Sequence, residues 1–451
     1  MAILPIESGR YGSKEMKSLF EEEKKLQYML DFETAVALAQ SDLGLIPKHA
    51  SQEILSIKKS GKVKLSRIKE LEKISDHDIG AFIEALSEQC SQSTKPWVHF
   101  GLTSNDIIDT TTSMQIKESL ELVESKIMKL TSLLSKNAIL FKNQPAVGRT
   151  HGQHASIMPF GLKFAVWANE MTKNIDRLNE CKKRILICKT LGVIGTGSLM
   201  GKYALEIQSK VSTQLGLYPI EAATQIIARE RMAELQFIIA LIASSLDKIA
   251  IEIRNLQRPE IAEVEESFKQ GQMGSSAVPV KRNPIKSERI SSLAKFLRSF
   301  VSVSMENIGL WHERDLSNSA NERFTLPLGM ILLEELLNTM IKVISGLSIN
   351  TKRIRENIDL TNGQIYAEFI LEFLVKKNMP RIKAYREIQR LAFQSKKNNI
   401  YFLDAIKQDE LLSKYFTPQE LTALFIPENH FASSIDIIHN VDQIVKKYLK
   451  D

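Results

Sequence analysis

At 451 residues the chain exceeds a single typical core, so two or three domains or one elongated helical body are expected. Apolar residues make up 43% and charged residues 25%, and three cysteines in so long a chain exclude a disulfide framework and fit a reducing cytoplasm. The net charge of +7 raises nucleic acid as a partner, but Lys and Glu alternate along most of the chain and the dense cluster Lys182-Lys183-Arg184 is short; a cytoplasmic enzyme with a polyanionic small substrate fits at least as well.

The N-terminal MAILPIE carries Pro5 and Glu7 and no basic region, so it does not read as a secretory signal. Apolar runs such as Phe237 to Ala243 are too short for a bilayer, and no membrane span is expected. The first hundred residues show short helical patterns broken at Gly44, Pro47, Gly61 and Pro96, a small N-terminal helical domain. Within it Arg10-Tyr11 reads in isolation as a surface pair, and Asp76-His77-Asp78 as a helix cap with a flanking histidine. Thr103-Ser104, in WVHFGLTSNDIIDT, likewise has the composition of a helix start. A hydroxyl-rich helix start can also hold a carboxylate, since both uses rely on hydroxyls and amides.

From there the helices lengthen. Ile116, Leu120, Val123, Ile127, Leu130 and Leu134 repeat in steps of four and three. The rhythm returns at Leu235, Ile239, Ile242, Leu246, Ile249, Ile253 and Leu256. This heptad seam predicts left-handed helix packing, and less regular stripes over 160–187, 287–311 and 327–349 bring the long helices to five. A seam of this length calls for partner helices, hence an oligomer built through the bundle.

GRTHGQHASIMP lies between the first two long helices, with His151 and His154 three apart. A metal pair is disfavoured because Arg149 is adjacent, no carboxylate joins the histidines in the sequence, and HGQH is not the zinc-protease H-E-x-x-H. LGVIGTGSLMG, from Leu191 to Gly201, fits neither a Walker nor a Rossmann spacing and reads as a structured turn; Thr224-Gln225 is placed at the opening of the second heptad helix. Gly271 to Glu288, GQMGSSAVPVKRNPIKSE, has Gly and Pro punctuation, a serine pair and Lys281-Arg282-Asn283, with long helices on both sides. It reads as a flexible loop feeding a helix whose free N–H groups would favour an anion. As composition it is an ordinary connector; a serine among fixed cations also suits a reaction through an anionic intermediate. WHERDLSNSANERF, Trp311 to Phe324, is a charged helix junction, and beyond Asn350 the helical patterns shorten again.

The order of residues in these segments is similar to one family. GSSAVPVKRNP resembles the GSSxMPxKxNP signature of the fumarase/aspartase superfamily of fumarate-releasing lyases, and its Lys-Arg-Asn-Pro form is most like the adenylosuccinate lyases. WHERDLSNSANER, GRTHGQHA, the Thr-Ser of GLTSND and the early Arg-Tyr resemble segments of the same family, over about Arg10 to Phe393. The resemblance implies an all-α fold with an N-terminal helical domain (1–104), a central five-helix bundle (105–355) and a C-terminal helical domain (356–451). It further implies a homotetramer with a twenty-helix core and sites shared by three subunits. It implies elimination of fumarate from adenylosuccinate and from the succinylated aminoimidazole carboxamide ribotide of purine biosynthesis, in the cytoplasm, with no metal or organic cofactor and with nucleotides rather than nucleic acid or membrane as partners.

By the same resemblance His151 is the general acid and Ser275 the general base, with Ser276 as its rival; Thr150 and Ser276 bind substrate beside them. Lys281 and Asn283 face the developing carbanion, and His77 and Asp78 line the site. Arg10, Tyr11, Arg314, Ser319 and Arg323 hold nucleotide and phosphate; Thr103 and Ser104 hold a carboxylate, with His99 a few residues earlier also binding substrate, and Gln225 touches substrate. The chain departs from the family at Val278, Val280 and Ser156-Ile157-Met158. Argininosuccinate lyase or a cycloisomerase of the superfamily is the alternative within the class; a helical scaffold or nucleic-acid-binding protein is the alternative outside it. The intact Ser275, His151 and Lys281 disfavour the second.

Overall fold

The heptad residues decide the architecture. In a computed structural model describing residues 4–269 and 271–449, every member of both seams is buried, none more than 3% exposed. They lie on helices Ser104–Leu140 and Glu230–Leu256. Each fully buried Leu or Ile contributes about 1.5–3 kcal/mol of transfer free energy, so the seams drive assembly of the bundle. The other long helices are Gly161–Ile185, Ile285–Glu306 and Ser319–Ser345. With the shorter ones they make 17 α-helices among the described residues, beside three two-stranded sheets. The expected all-α class holds.

The chain divides into two compact units: residues 1–126, 174–244 and 292–338 form one, and 127–173, 245–291 and 339–451 the other. In the first, Gly44, Pro47 and Gly61 act as helix punctuation. Helix Glu22–Asp42 stops before Gly44, and Lys48–Ser60 runs from its N-cap Pro47 to a left-handed Gly61. In the second, Val147 and Ile157 pair across an antiparallel hairpin, Pro145–Thr150 with Gln153–Pro159, and join a core with Tyr366, Ile370, Leu374 and Phe402. Two β-branched residues facing one core favour strands over helix at this junction.

Four readings need correction. Thr224 and Gln225 do not open the second heptad helix, which starts at Glu230. Asp109 accepts a hydrogen bond from the Ile227 amide at 2.8 Å and pairs with buried Arg229, which holds the approach outside the helix. Helix Ala204–Leu215 was not anticipated; its inner face includes the polar Gln208 and Ser212, which blunts the apolar stripe. The start of Ile285–Glu306 is not open to an external anion: Glu266 accepts from the Ser287 amide at 2.8 Å and from the Lys286 amide at 3.3 Å. Finally, Ser319–Ser345 is long and apolar enough to cross a membrane, a stretch the search for unbroken apolar runs passed over; 72% of that window is buried inside the protein, as befits a core helix.

The Leu191–Gly201 segment is a turn, as expected. Gly195 is held at φ +80°, and a Cβ there would lie 2.0 Å from the Ala223 carbonyl oxygen, so its glycine serves close chain approach.

Candidate active site

In the first unit, elements distant in sequence close around a cavity of about 220 Å³ lined by Lys25, Asp78, Asn105, Arg229, Arg314, Ser319, Glu322 and Arg323, among others. Asp78 begins helix Asp78–Glu88. His77 caps it: Nδ1 accepts from the Gly80 amide at 2.9 Å, so a neutral ring carries its proton on Nε2. The cap and the site readings of His77 are therefore compatible. Ser319 is the first residue of Ser319–Ser345, and Arg323 one turn later reaches Asp78 at 3.3 Å.

Arg314 is held by two amides. It donates to Gln225 Oε1 at 2.8 Å, and with the Asn105 oxygen turned toward it donates to that residue at 2.8 and 3.1 Å. Burial keeps its guanidinium below the ordinary arginine value, and the Arg229 cation adds to this. Burial likewise lowers Lys25, helped by Arg323 and opposed by Asp78. Arg229 is tied to Asp109 and Glu322, each at 3.0 Å. Four cations and two carboxylates thus line a partly dehydrated space, which suits an anion with several oxygens.

Arg10, Tyr11, His99, Thr103 and Ser104 belong to the same unit but are not in the lining of this cavity. The Gly12 and Ser13 amides donate to Glu335 and Glu334, anchoring the segment that carries Arg10 and Tyr11 to helix Ser319–Ser345. His99, in left-handed backbone at φ 57°, has Nδ1 2.6 Å from buried Glu33, which orients the ring. Thr103 donates its amide to Asp106 at 2.9 Å, and Ser104 starts the long helix. Asp106 is sealed against Lys189, both side chains fully buried. Burial pushes the Asp106 carboxyl up, and the Lys189 ammonium opposes it.

In the second unit, Thr150 ends the first hairpin strand and His151-Gly152 form the turn, with φ 54° and 73°. Positive φ at both central residues is what a tight two-residue hairpin demands. The His151 ring is exposed and has no hydrogen-bond partner among the described residues. The Gly271–Glu288 loop folds on itself: Asn283 donates to the Gly274 carbonyl at 2.9 Å, and a Cβ on Gly274 would meet the Lys281 carbonyl at 2.0 Å. Inside this closure Ser275 Oγ accepts from the Val278 amide at 3.1 Å and the Ala277 amide at 3.3 Å. Two N–H dipoles aimed at one hydroxyl oxygen favour its anion. Ser276 has no such donors among the described residues. Arg282 is engaged with Glu265 at 2.7 Å, whereas the Lys281 ammonium has no partner among the described residues.

Residues 9–296 match the family model described as Lyase, and residues 363–441 the model for the adenylosuccinate lyase C-terminus. The adenylosuccinate lyase of Pyrococcus abyssi is 44% identical over 447 residues, covering 99% of both chains. That of Methanocaldococcus jannaschii is 41% identical, covering 99% of this chain and 96% of its own. This chain belongs to the adenylosuccinate lyase family of the fumarase/aspartase superfamily. Solved structures agree on the fold. A fumarate lyase from Mesorhizobium has TM-score 0.88 at 26% identity, over 96% of this chain and 98% of its own. The 3-carboxy-cis,cis-muconate lactonizing enzyme of Pseudomonas putida also has TM-score 0.88, at 24% identity over 99% and 100%; at that identity it speaks to the fold alone.

Family membership makes the residues that sequence reading missed stand out. Asn105 was visible in TSND but read only as part of a cap; its role as an Arg314 acceptor needs the cavity. Lys25 and Arg229 had no local signal at all. Nor did Glu33 and Glu263, whose partners are 66 and 114 residues away.

Proposed function

We propose that the chain eliminates fumarate from adenylosuccinate, giving AMP, and from the corresponding succinylated carboxamide ribotide of purine biosynthesis. Ser275, as alkoxide, removes a proton from the succinyl carbon next to a carboxylate. The carbanion delocalises into that carboxylate, and a fixed cation facing it lowers the barrier. Lys281, without a partner among the described residues, is that cation. Asn283 is engaged with Gly274 here and acts first by shaping the loop. His151 then protonates the leaving nitrogen, a task suited to a group that titrates near neutrality. The C–N bond breaks, its electron pair goes to nitrogen, and the carbanion pair forms the fumarate double bond.

The observation that carries this reading is the pair of backbone amides on Ser275 Oγ. The cationic cavity of the first unit supports phosphate binding by Arg314, Ser319 and Arg323, with Arg10 and Tyr11 contributing. Exposed Val166, Phe237, Ile251 and Phe296 on the long helices support a homotetramer in which copies cover them. The gap between the matched stretches, 9–296 and 363–441, supports a C-terminal domain from about residue 356. The relatives' identity supports a cytoplasmic metabolic enzyme.

The test is direct. Purified protein is mixed with adenylosuccinate, and the ultraviolet absorbance change of its conversion to AMP is followed, with the ribotide and argininosuccinate as parallel substrates. Turnover of argininosuccinate alone would overturn the assignment.

A further inference from the structure

The hairpin that carries His151 is anchored by its base, where Val147 and Ile157 are buried, while its tip is exposed. The strand register shifts between Gly148 and Arg149, and pairing resumes at Arg149 with His154 and Thr150 with Gln153, up to the turn. Beside the hairpin's own pairing, an ion pair ties the tip to the rest of the unit. Arg149 reaches Glu263 through two nitrogens, Nη2 at 2.6 Å and Nη1 at 3.3 Å, and the Glu263 side chain is fully buried. Asn357 donates to the same carboxylate at 2.8 Å and to the Ile261 carbonyl at 2.9 Å, fixing Glu263 from the other side.

Glu263 also begins the segment that frames the Ser275 loop. Val264–Glu265 pairs with Ser348–Ile349. Glu266, three residues on, caps the helix at the far end of the loop through the Ser287 amide at 2.8 Å and hydroxyl at 2.5 Å. Four consecutive residues therefore grip the acid's hairpin at one end and the base's loop at the other.

We propose that Arg149 and Glu263 are a positioning pair that fixes the His151 turn on the body of its own subunit, whichever subunit supplies the base to the same site. The inference rests on His151 and Ser275 being the acid and base assigned above. A bidentate guanidinium–carboxylate contact fixes both distance and plane, which a single hydrogen bond does not. His151 sits two residues beyond this contact, in the positive-φ turn of the hairpin, so movement at Arg149 is passed to it along the strand. Loosening the contact displaces the acid without removing it.

The experiment compares Glu263→Gln, Arg149→Lys, the double variant Arg149→Met/Glu263→Met, and His151→Ala, with thermal unfolding measured on each. In Glu263→Gln, kcat should fall on the order of 10²-fold while KM moves by less than about threefold. The solvent isotope effect on kcat should rise, because a misplaced acid makes proton delivery slower; loss of folded protein alone would not change it. The double variant separates position from stability. Replacing a buried ion pair by apolar residues is often neutral for folding, so a merely structural pair predicts that stability and kcat both recover. A positioning pair predicts a folded double variant that stays slow. Should Glu263→Gln not fold, the double variant and Arg149→Lys, which keeps the charge but loses the fork, carry the comparison. Wild-type kcat in the double variant beside an inactive His151→Ala overturns the positioning role alone. Near-normal turnover in His151→Ala instead overturns the acid assignment, and the inference with it.

Discussion

Arg323 and Asp78, 245 residues apart in the chain, meet at 3.3 Å on the wall of one cavity. The Arg323 side chain is 64% exposed, so this pair is worth at most about 1 kcal/mol to the fold. Its value lies in aiming a guanidinium at the space that Arg314 and Ser319 also face. Arg323→Ala should therefore leave stability nearly unchanged and raise KM for phosphorylated substrate by roughly 10- to 100-fold, about 1.5–3 kcal/mol for a charge-assisted contact. Unchanged KM and kcat would remove Arg323 from the site.

For the base, Ser275→Ala should lower kcat by roughly 10²–10⁴-fold with substrate binding retained, since the loss falls on the transition state. Ser276→Ala should be far milder, because the amides of Ala277 and Val278 converge on Ser275. The reverse pattern in steady-state kinetics would move the base by one residue.

If acid and base enter each site from different subunits, inactive His151→Ala and Ser275→Ala proteins should complement. Random reassembly in equal amounts leaves a site intact with probability one half times one half, so about a quarter of wild-type activity should return. Zero recovery in mixed tetramers of verified composition would reject the shared site, even with the lyase activity intact.

The Lys189–Asp106 pair is sealed from water and holds the Thr103 and Gly192 amides through Asp106, at 2.9 and 3.0 Å. Lys189→Met strands a buried carboxylate, and a loss of about 3–5 kcal/mol is expected in denaturant unfolding. Adding Asp106→Leu should recover part of the loss. An unfolding midpoint unchanged by Lys189→Met would show that the pair contributes nothing net.

A pH dependence follows from His430. Its Nε2 donates to the Leu424 carbonyl at 2.8 Å and its ring stacks on Phe369 at 3.6 Å. Burial holds its pKa below the ordinary 6.5, with the carbonyl contact opposing. The unfolded chain then binds the proton more readily than the folded one. The resulting stability is full above about pH 6.5 and is lost as pH falls through the lower folded value. His430→Gln, which keeps a donor but does not titrate, should show a shallower fall in melting temperature as pH drops below about 6.5. Identical slopes for the two proteins would exclude His430 as a source.

The sequence by itself determined whatever depends on local order. Apolar periodicity located the five long helices, because burial of a stripe repeats along the chain, but not all their ends: the stripe 327–349 begins well inside Ser319–Ser345. Gly44, Pro47 and Gly61 marked helix ends, because their backbone preferences act locally. The ordered motifs around Ser275, His151 and Arg314 carried the family. The tertiary structure alone decided what is joined across long separations. Glu33 behind His99, Glu263 behind Arg149, and Lys25 and Arg229 in the cavity leave no periodic or short-range trace, since an ion pair constrains only two residues that folding happens to bring together. For the same reason the helix start at Ile285 looked like an open anion site until Glu266, nineteen residues earlier, was found to fill it.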